Sequence, residues 1–484
     1  MLRIVKYTYR GLLAIMTLHA TLLYSVTQVR SGTNTETFMA VVANPLAAQA
    51  AIKILQQGGN AVDAAVTTQL VLSLVEPQSS GIGGGAFMLY YHNESGEIEA
   101  YDGRETTPQA ATKELFLRDD GSAMKFFEAV VGGRSVGVPG VVQMLELAHR
   151  QNGHLPWANL FQSAIELADN GFPISPRLNK LITRDQYLKK QKSAKQYFYH
   201  AGGTARRIGE IRRNPEYADA LRTIAVGGAD AFYRGPLARD IVRAVQTSAN
   251  PGLLTEKDLA NYRAKRREAI CGTYRHFKVC GMPPPTSGGV AILQILGILN
   301  NYDIAGLKPG SVGAIHLISE ASKLAYADRG LYLADPDFVH VPVRALLDPA
   351  YLRARASLID RQRSMGKANP GVIYTGGDIR RSAGRSLDLP ATTHFSIVDA
   401  NGNAVSMTSS VENTFGSRIM VHGFLLNNQL TDFSFRPTAN GRDVANKVEP
   451  GKRPRSSMSP VLVFGPNNNL RYVLGSPGGS RIIA

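Results

Sequence analysis

From residue 392 the chain switches to a strict two-residue period, and this stretch constrains the fold more than any other. Phe395 and Ile397 alternate with polar residues, as do Val405 and Met407 beyond the pair Asn401-Gly402. Alternation at period two turns one face of each strand toward a core, and Asn-Gly is the strongest short hairpin signal. An antiparallel hairpin is therefore predicted from Thr392 to about Val411. Its register has two readings. If Ala400-Asn401-Gly402 make a three-residue loop with Gly402 left-handed, Thr392 faces Ser410. If the loop has two residues, Thr392 faces Val411 and Ser410 stands one place off. Either way two hydroxyls lie side by side at the open end of the hairpin.

Upstream the pattern is mostly helical. Asn44 caps a helix with Pro45 at its first position, stopping at Gly58-Gly59. Asn60 caps a second, with Asp63 in its first turn, that reaches Val75 before Pro77. Next comes a glycine turn feeding an aromatic strand that ends near Tyr91. Gly81, Gly83 and Ala86 loosely match a dinucleotide fingerprint, but that fingerprint opens a helix and here a strand follows. Residues 110–260 read as helices with polar loops. Ser122 to Lys125 match the S-x-x-K of penicillin-recognising enzymes without the companion KTG or SDN motifs. Gly281 to Gly289, a rigid proline turn, leads into an apolar helix, Val290 to Leu299. A further helix around 313–329 is expected to end at Arg329-Gly330. Residues 361–391 are polar and weakly patterned, as in an exposed, mobile linker.

Composition bounds the class. At 484 residues, 44% hydrophobic and 19% charged, the chain can bury a large core as a soluble globular protein. The formal charge is +16, yet no dense Lys/Arg run with interleaved aromatics accompanies it, so nucleic acid is not an expected partner. Arg3, Lys6 and Arg10 precede an apolar stretch from Gly11 to Val26, the pattern of a signal peptide. Export to the periplasm or outside the cell is expected, with the segment either cleaved or kept as a membrane anchor. Cys271 and Cys280 flank eight residues that could fold back as a hairpin; they are either a disulfide or two buried thiols. Neither a zinc-like cysteine–histidine set nor an HExxH pair is present, and no metal or other cofactor is expected.

The chemistry concentrates after Thr392. Behind it stand LLNNQLTDF (425–433), KRPRSSMSP (452–460) and GSPGGSR (475–481). A hydroxyl at the head of a strand, followed by acid, amide, serine pair and glycine pair, supplies the parts for cleaving an amide. No histidine base is obvious. An α-amino group, with a pKa near 8, could take the hydroxyl proton, provided the Ala391–Thr392 bond is first cut. Ser410 could orient that hydroxyl. Asp432, Gln429 and Glu412 could hold a substrate ammonium, Ser456 and Ser457 a carboxylate, and Gly478-Gly479 an oxyanion. Arg104, in YDGRETTP, could supply a cation, although its distance along the chain gives spacing nothing to work with.

These motifs, together with GGNAVDAAV (58–66), EPQSSGIGGGAF (76–87), MPPPTSGG (282–289) and ADRGLYLADPDF (327–338), closely resemble the γ-glutamyltransferases, a family of N-terminal-nucleophile hydrolases. The resemblance runs from about Ala40 to the last residue. It implies an α/β fold, the αββα four-layer sandwich. It also implies one precursor that cuts itself into a large subunit (31–391) and a small one (392–484). By matching, Thr392 is the nucleophile and Ser410 stands where threonine is usual. Gln429 and Asp432 match the ammonium clamp, with Glu412 beside it. Arg104, Ser456 and Ser457 match the carboxylate clamp, and Gly478 and Gly479 the oxyanion hole. The implied substrates are glutathione and other γ-glutamyl compounds, with water, amino acids or dipeptides as acceptors.

Family members continue past GSPGGSRI, so a sandwich incomplete at the C-terminus is expected, with a last helix from about Gly479 that is too short to stand alone. Residues 434–451 suggest a reduced lid. Two alternatives stand beside the active enzyme: a truncated, inactive homologue, and an acylase acting on glutaryl or cephalosporin amides. An ammonium clamp argues against the acylase.

Overall fold

The computed structural model describes residues 37–373, 381–384 and 391–483. The apolar N-terminal segment and linker residues 374–380 and 385–390 lie outside the described residues. Strand β1 (Met39–Val42) leads into helices α1 (Pro45–Gln56) and α2 (Ala61–Val75), then strands β2 (Gly85–Tyr91) and β3 (Ile98–Gly103). Asn44 and Asn60 cap the two helices through their side-chain oxygens, and Asp63 closes a capping box on Asn60. Further helices fill residues 126–261, among them α3 (Val141–Asn152). Strands β4 (Lys265–Glu268), β5 (Ile270–Tyr274) and β6 (Phe277–Gly281) precede helices α4 (Gly288–Leu299) and α5 (Val312–Tyr332). The hairpin β7 (Thr393–Val398) and β8 (Ala404–Ser410) and the pair β9 (Val461–Phe464) and β10 (Leu470–Leu474) complete the framework.

Two antiparallel sheets result. The first has the order β1-β7-β8-β2-β3-β4, the second β10-β9-β6-β5. Phe87, Leu89 and Ala404 of the first meet Cys280, Leu462 and Phe464 of the second, forming one apolar layer between them. Helices α2 and α3 cover the outer face of the first sheet and α4 that of the second, with α5 packed on α4. The layers run helix, sheet, sheet, helix, as expected. Every residue of α2 is buried, because sheet lies on one side of it and further helices on the other.

The hairpin register resolves to the three-residue loop. Val398 pairs with Ala404 and Thr393 with Ser409, and Gly402 has φ +80°. Cys271 faces Cys280 across β5–β6, and the two are joined in a disulfide.

One expectation needs correction. Helix α5 does not end at Arg329-Gly330 but continues to Tyr332. Burying Tyr332 and Leu333 against Val290 and Leu346 outweighs the roughly 1 kcal/mol a helical glycine costs. The linker, exposed over most of 361–370, is also tied down at several points. Asp328 accepts from Gly371 N at 2.8 Å, Arg355 donates to Asn369 O at 2.9 Å, and Gly384 N donates to Gly330 O at 3.1 Å. A buried carboxylate and arginine thus hold its descending end.

Candidate active site

Thr392 stands one residue before β7, opposite Ser410 at the end of β8 when the hairpin register is extended. The two hydroxyl oxygens are 3.5 Å apart. Ser410 Oγ donates to the Ala391 carbonyl at 2.9 Å and accepts from Glu412 N at 2.9 Å. A hydroxyl has one proton and two lone pairs, so in the remaining contact Thr392 is the donor and Ser410 the acceptor. Ser410 therefore touches both the Thr392 hydroxyl and the carbonyl of the residue before it.

The glycine run 83–85 makes this corner possible. A Cβ on Gly84 would lie 2.2 Å from Ser410 O, and one on Gly83 2.2 Å from Leu425 O. Only bare backbone fits there. Beyond Ser410 the chain turns through Glu412, whose φ of +75° is strained for a residue with a side chain. Asn428 compensates: its Nδ2 donates to Glu412 Oε2 and its Oδ1 accepts from Asn413 N at 2.9 Å. Asn427 Nδ2 donates to Gly83 O at 2.8 Å and Gly137 O at 2.9 Å, pinning the glycine run to this turn.

Across the pocket lies a buried charge cluster. Arg104 Nη2 donates to Asp432 Oδ2 at 2.5 Å, and Gln429 Nε2 donates to the same oxygen at 2.7 Å. The guanidinium is fastened by Pro454 O at 3.0 Å and Arg455 O at 3.2 Å. Its Nη1 is buried without a hydrogen-bond partner, 3.7 Å from Glu105 Oε2. Burial pushes the Glu105 carboxyl up to about 8, so it carries its proton at neutral pH and leaves the Arg104 charge in place. One edge of Arg104 is thus left for an anion, next to a carboxylate and an amide suited to a cation.

Ser456 is held by the proline turn. Ser456 N donates to Pro285 O at 3.1 Å, and Ser287 N and Oγ both donate to Ser456 O. The glycine pair closes the other side. Gly478 has φ +146° and Gly479 φ +61°, and Gly479–Ile483 form a short 3₁₀ turn where a helix start was expected. The Tyr326 hydroxyl donates to the Ser480 carbonyl.

One pocket, with about 280 Å³ of space open to solvent, gathers Arg104, Thr392, Ser410, Glu412, Gln429, Asp432, Ser456, Ser457 and Gly479. Of the residues singled out from sequence, Gly478 alone is not in its lining. Met458 and Ile482 add apolar walls that sequence reasoning missed. It also passed over Asn427 and Asn428, although both sit in LLNNQLTDF. Their signal was two adjacent amides in an apolar stretch, which must find partners once buried.

On β7 itself, His394 Nε2 lies 3.1 Å from Ser396 Oγ and Nδ1 lies 2.9 Å from Thr408 Oγ1. Ser396 spends its proton on Val473 O at 2.9 Å, so His394 Nε2 carries hydrogen and Nδ1 accepts from Thr408. Burial pulls the imidazole down to about 4. Its ring packs on Gly475, where a Cβ would come within 2.1 Å of it.

The fold agrees with what comparison finds. The family model of gamma-glutamyltranspeptidase matches residues 47–484. A glutathione hydrolase proenzyme of Escherichia coli (strain K12) is 40% identical over 447 residues, covering 90% of this chain and 74% of its own length. The crystal structure of a cephalosporin acylase from Bacillus halodurans superposes with a TM-score of 0.77 at 30% identity, covering 90% of this chain and 76% of that one. The Helicobacter pylori gamma-glutamyltranspeptidase structure gives 0.67 at 35% identity, covering 70% of this chain and 97% of that one. With its sandwich, its hydroxyl pair and its charged pocket, the chain belongs to the gamma-glutamyltranspeptidase family.

Proposed function

We propose that this chain is a glutathione hydrolase and γ-glutamyl acyltransferase whose nucleophile is Thr392. The observation that carries the reading is the shared pocket. It puts the Thr392 hydroxyl, paired with Ser410, in one space with a buried Arg104–Asp432–Gln429 cluster. A γ-glutamyl group is a zwitterionic head on a short chain ending in an amide carbonyl. Arg104, Ser456 and Ser457 would take its carboxylate, Asp432, Gln429 and Glu412 its ammonium. A glutaryl group has no ammonium to satisfy those acceptors, which favours the γ-glutamyl donor over glutaryl amides.

Two rounds of acyl transfer follow. In the first, Thr392 Oγ attacks the Ala391 carbonyl carbon, while Ser410 Oγ–H stabilises the charge that grows on its oxygen. The C–N bond breaks, the Thr392 nitrogen takes the proton, and water opens the resulting ester. This leaves a carboxyl on Ala391 and a free amine on Thr392, dividing the chain into large and small subunits. In the second, that amine takes the Thr392 hydroxyl proton as Oγ attacks the γ-carbonyl of the donor. The leaving amine departs protonated. Water, an amino acid or a dipeptide then takes the γ-glutamyl group from the ester, with the N–H groups of Gly478 and Gly479 receiving the oxyanion. Export is part of the proposal, supported by the basic-then-apolar N-terminus and by a disulfide that an oxidising compartment maintains.

Purified protein should yield a fragment with Thr392 at its N-terminus and hydrolyse γ-glutamyl-p-nitroanilide. An uncut chain that never releases nitroaniline would sink the proposal.

A further inference from the structure

The mechanism above makes no use of a buried cation on α5 that lies beside the pocket. Arg329, on α5, is 6% exposed. Its Nη2 donates to Ser457 Oγ at 2.7 Å and its Nε to Ser287 Oγ at 2.8 Å. Ser287 Oγ in turn donates to Ser456 O at 2.6 Å. One guanidinium, from the segment before the Ala391–Thr392 bond, therefore reaches both serines of the candidate carboxylate clamp.

Guanidinium only donates, so Arg329 fills a lone pair of Ser457 Oγ and turns the hydroxyl proton away from itself. Ser457 lines the pocket. The full positive charge stands one hydroxyl behind the place a carboxylate would bind. A hydroxyl polarised by a charge-assisted bond is a stronger donor to an anion than a free one.

We infer that Arg329 is a positioning residue for the α-carboxylate of the γ-glutamyl donor, acting through Ser457 and, by way of Ser287, through the Ser456 backbone. The inference rests on the γ-glutamyl reading of the pocket. It assigns the carboxylate two cations: Arg104 in direct contact and Arg329 one hydroxyl removed. Lysine would keep the charge but cannot bridge Ser287 and Ser457 together.

The test uses the full chain as wild type, Arg329→Gln, Arg329→Lys, Ser457→Ala and the Arg329→Gln/Ser457→Ala double variant. Two donors are compared: γ-glutamyl-p-nitroanilide, and 4-aminobutyryl-p-nitroanilide, which keeps the ammonium but lacks the carboxylate. Calorimetric binding of L-glutamate is a second readout independent of turnover. Arg329→Gln should raise the KM for the γ-glutamyl anilide, and weaken glutamate binding, by about tenfold or more, with kcat changed far less. Arg329→Lys should recover part of this. The 4-aminobutyryl donor should show kcat/KM within about twofold of wild type, and Arg329→Gln should cost less in the Ser457→Ala background than in wild type, because only the Ser287–Ser456 route is left to lose. Equal losses on both donors, or an unchanged KM and glutamate affinity, would overturn the positioning role while leaving the function intact. Wild-type protein that neither cleaves the γ-glutamyl anilide nor binds glutamate would overturn both.

Discussion

The two ends of the pocket are built on different principles. The clamp end is side chain and charge. Arg104, Asp432 and Gln429 are buried and bonded to one another, and Arg104 is fastened to the backbone at Pro454 and Arg455. The glycine end is backbone. Residues 475–477 are exposed and 478–480 half-buried, and the described bonds to this loop include Tyr326 to Ser480 O and Arg481 N to Gly478 O. A buried, cross-braced cluster opens only with the whole core. An exposed loop opens locally at far lower cost. On the proposed function the contrast separates two roles: the clamp for the donor's head is preformed, whereas the proposed oxyanion donors sit on the part of the pocket most easily displaced.

The comparison breaks first at the residue both ends share. Thr392→Ala removes the proposed nucleophile of both acyl transfers, so no fragment beginning at residue 392 should appear. Turnover should fall by at least about a thousandfold. Electrophoresis and nitroaniline release check this, and continued cutting would point to a different nucleophile.

At the clamp end, Arg104→Gln leaves the Asp432 carboxylate buried beside an amide instead of a cation. Breaking a buried ion pair costs on the order of 3–5 kcal/mol, so the urea midpoint should drop and the donor KM should rise about a hundredfold. A variant with normal stability and KM would show that the clamp is less tightly coupled than its bonds imply.

Between the ends, His394 links acid stability to the glycine loop. An imidazole in the unfolded chain is protonated below about pH 6.5, while burial holds the folded His394 down to about 4. Between these values the unfolded state holds more protons. Stability therefore falls as pH falls through this window, by up to roughly 3 kcal/mol in all. Urea unfolding at pH 7 and pH 4.5 should show a smaller acid loss for His394→Gln than for wild type. An identical loss would mean that the ring does not stay neutral.

The smallest effect belongs to the glycine end. An alanine at Gly475 meets the His394 ring at 2.1 Å, so the exposed loop must shift. The cost should be about 1–3 kcal/mol, felt as a fall in kcat with little change in KM or global stability. A KM effect as large as that of Arg104→Gln would erase the distinction between the two ends.

Much of this was legible in the sequence, and the reasons are local. Period-two alternation with Asn401-Gly402 specified the hairpin, and Asn44, Asn60 and Asp63 specified two helix starts, since caps and turns act within a few residues. Motif resemblance named the pocket residues. The end of α5 was misjudged because glycine is a weak local signal and burial of Tyr332 a strong distant one. The supporting shell escaped as well: Asn427, Asn428, Arg329 and His394 bear no mark of their partners.

What the sequence determined alone is therefore the kind of element at each place, and the inventory of hydroxyls, acids, amides and glycines around Thr392. Only the tertiary structure chose between Ser410 and Val411 as the residue opposite Thr392, joined Cys271 to Cys280, and set Arg104 against Asp432 across 328 residues. Short-range preferences are written into neighbouring residues and can be read there. Which distant groups share a buried space follows from how whole sheets and helices fill volume together, and no stretch of chain carries that information by itself.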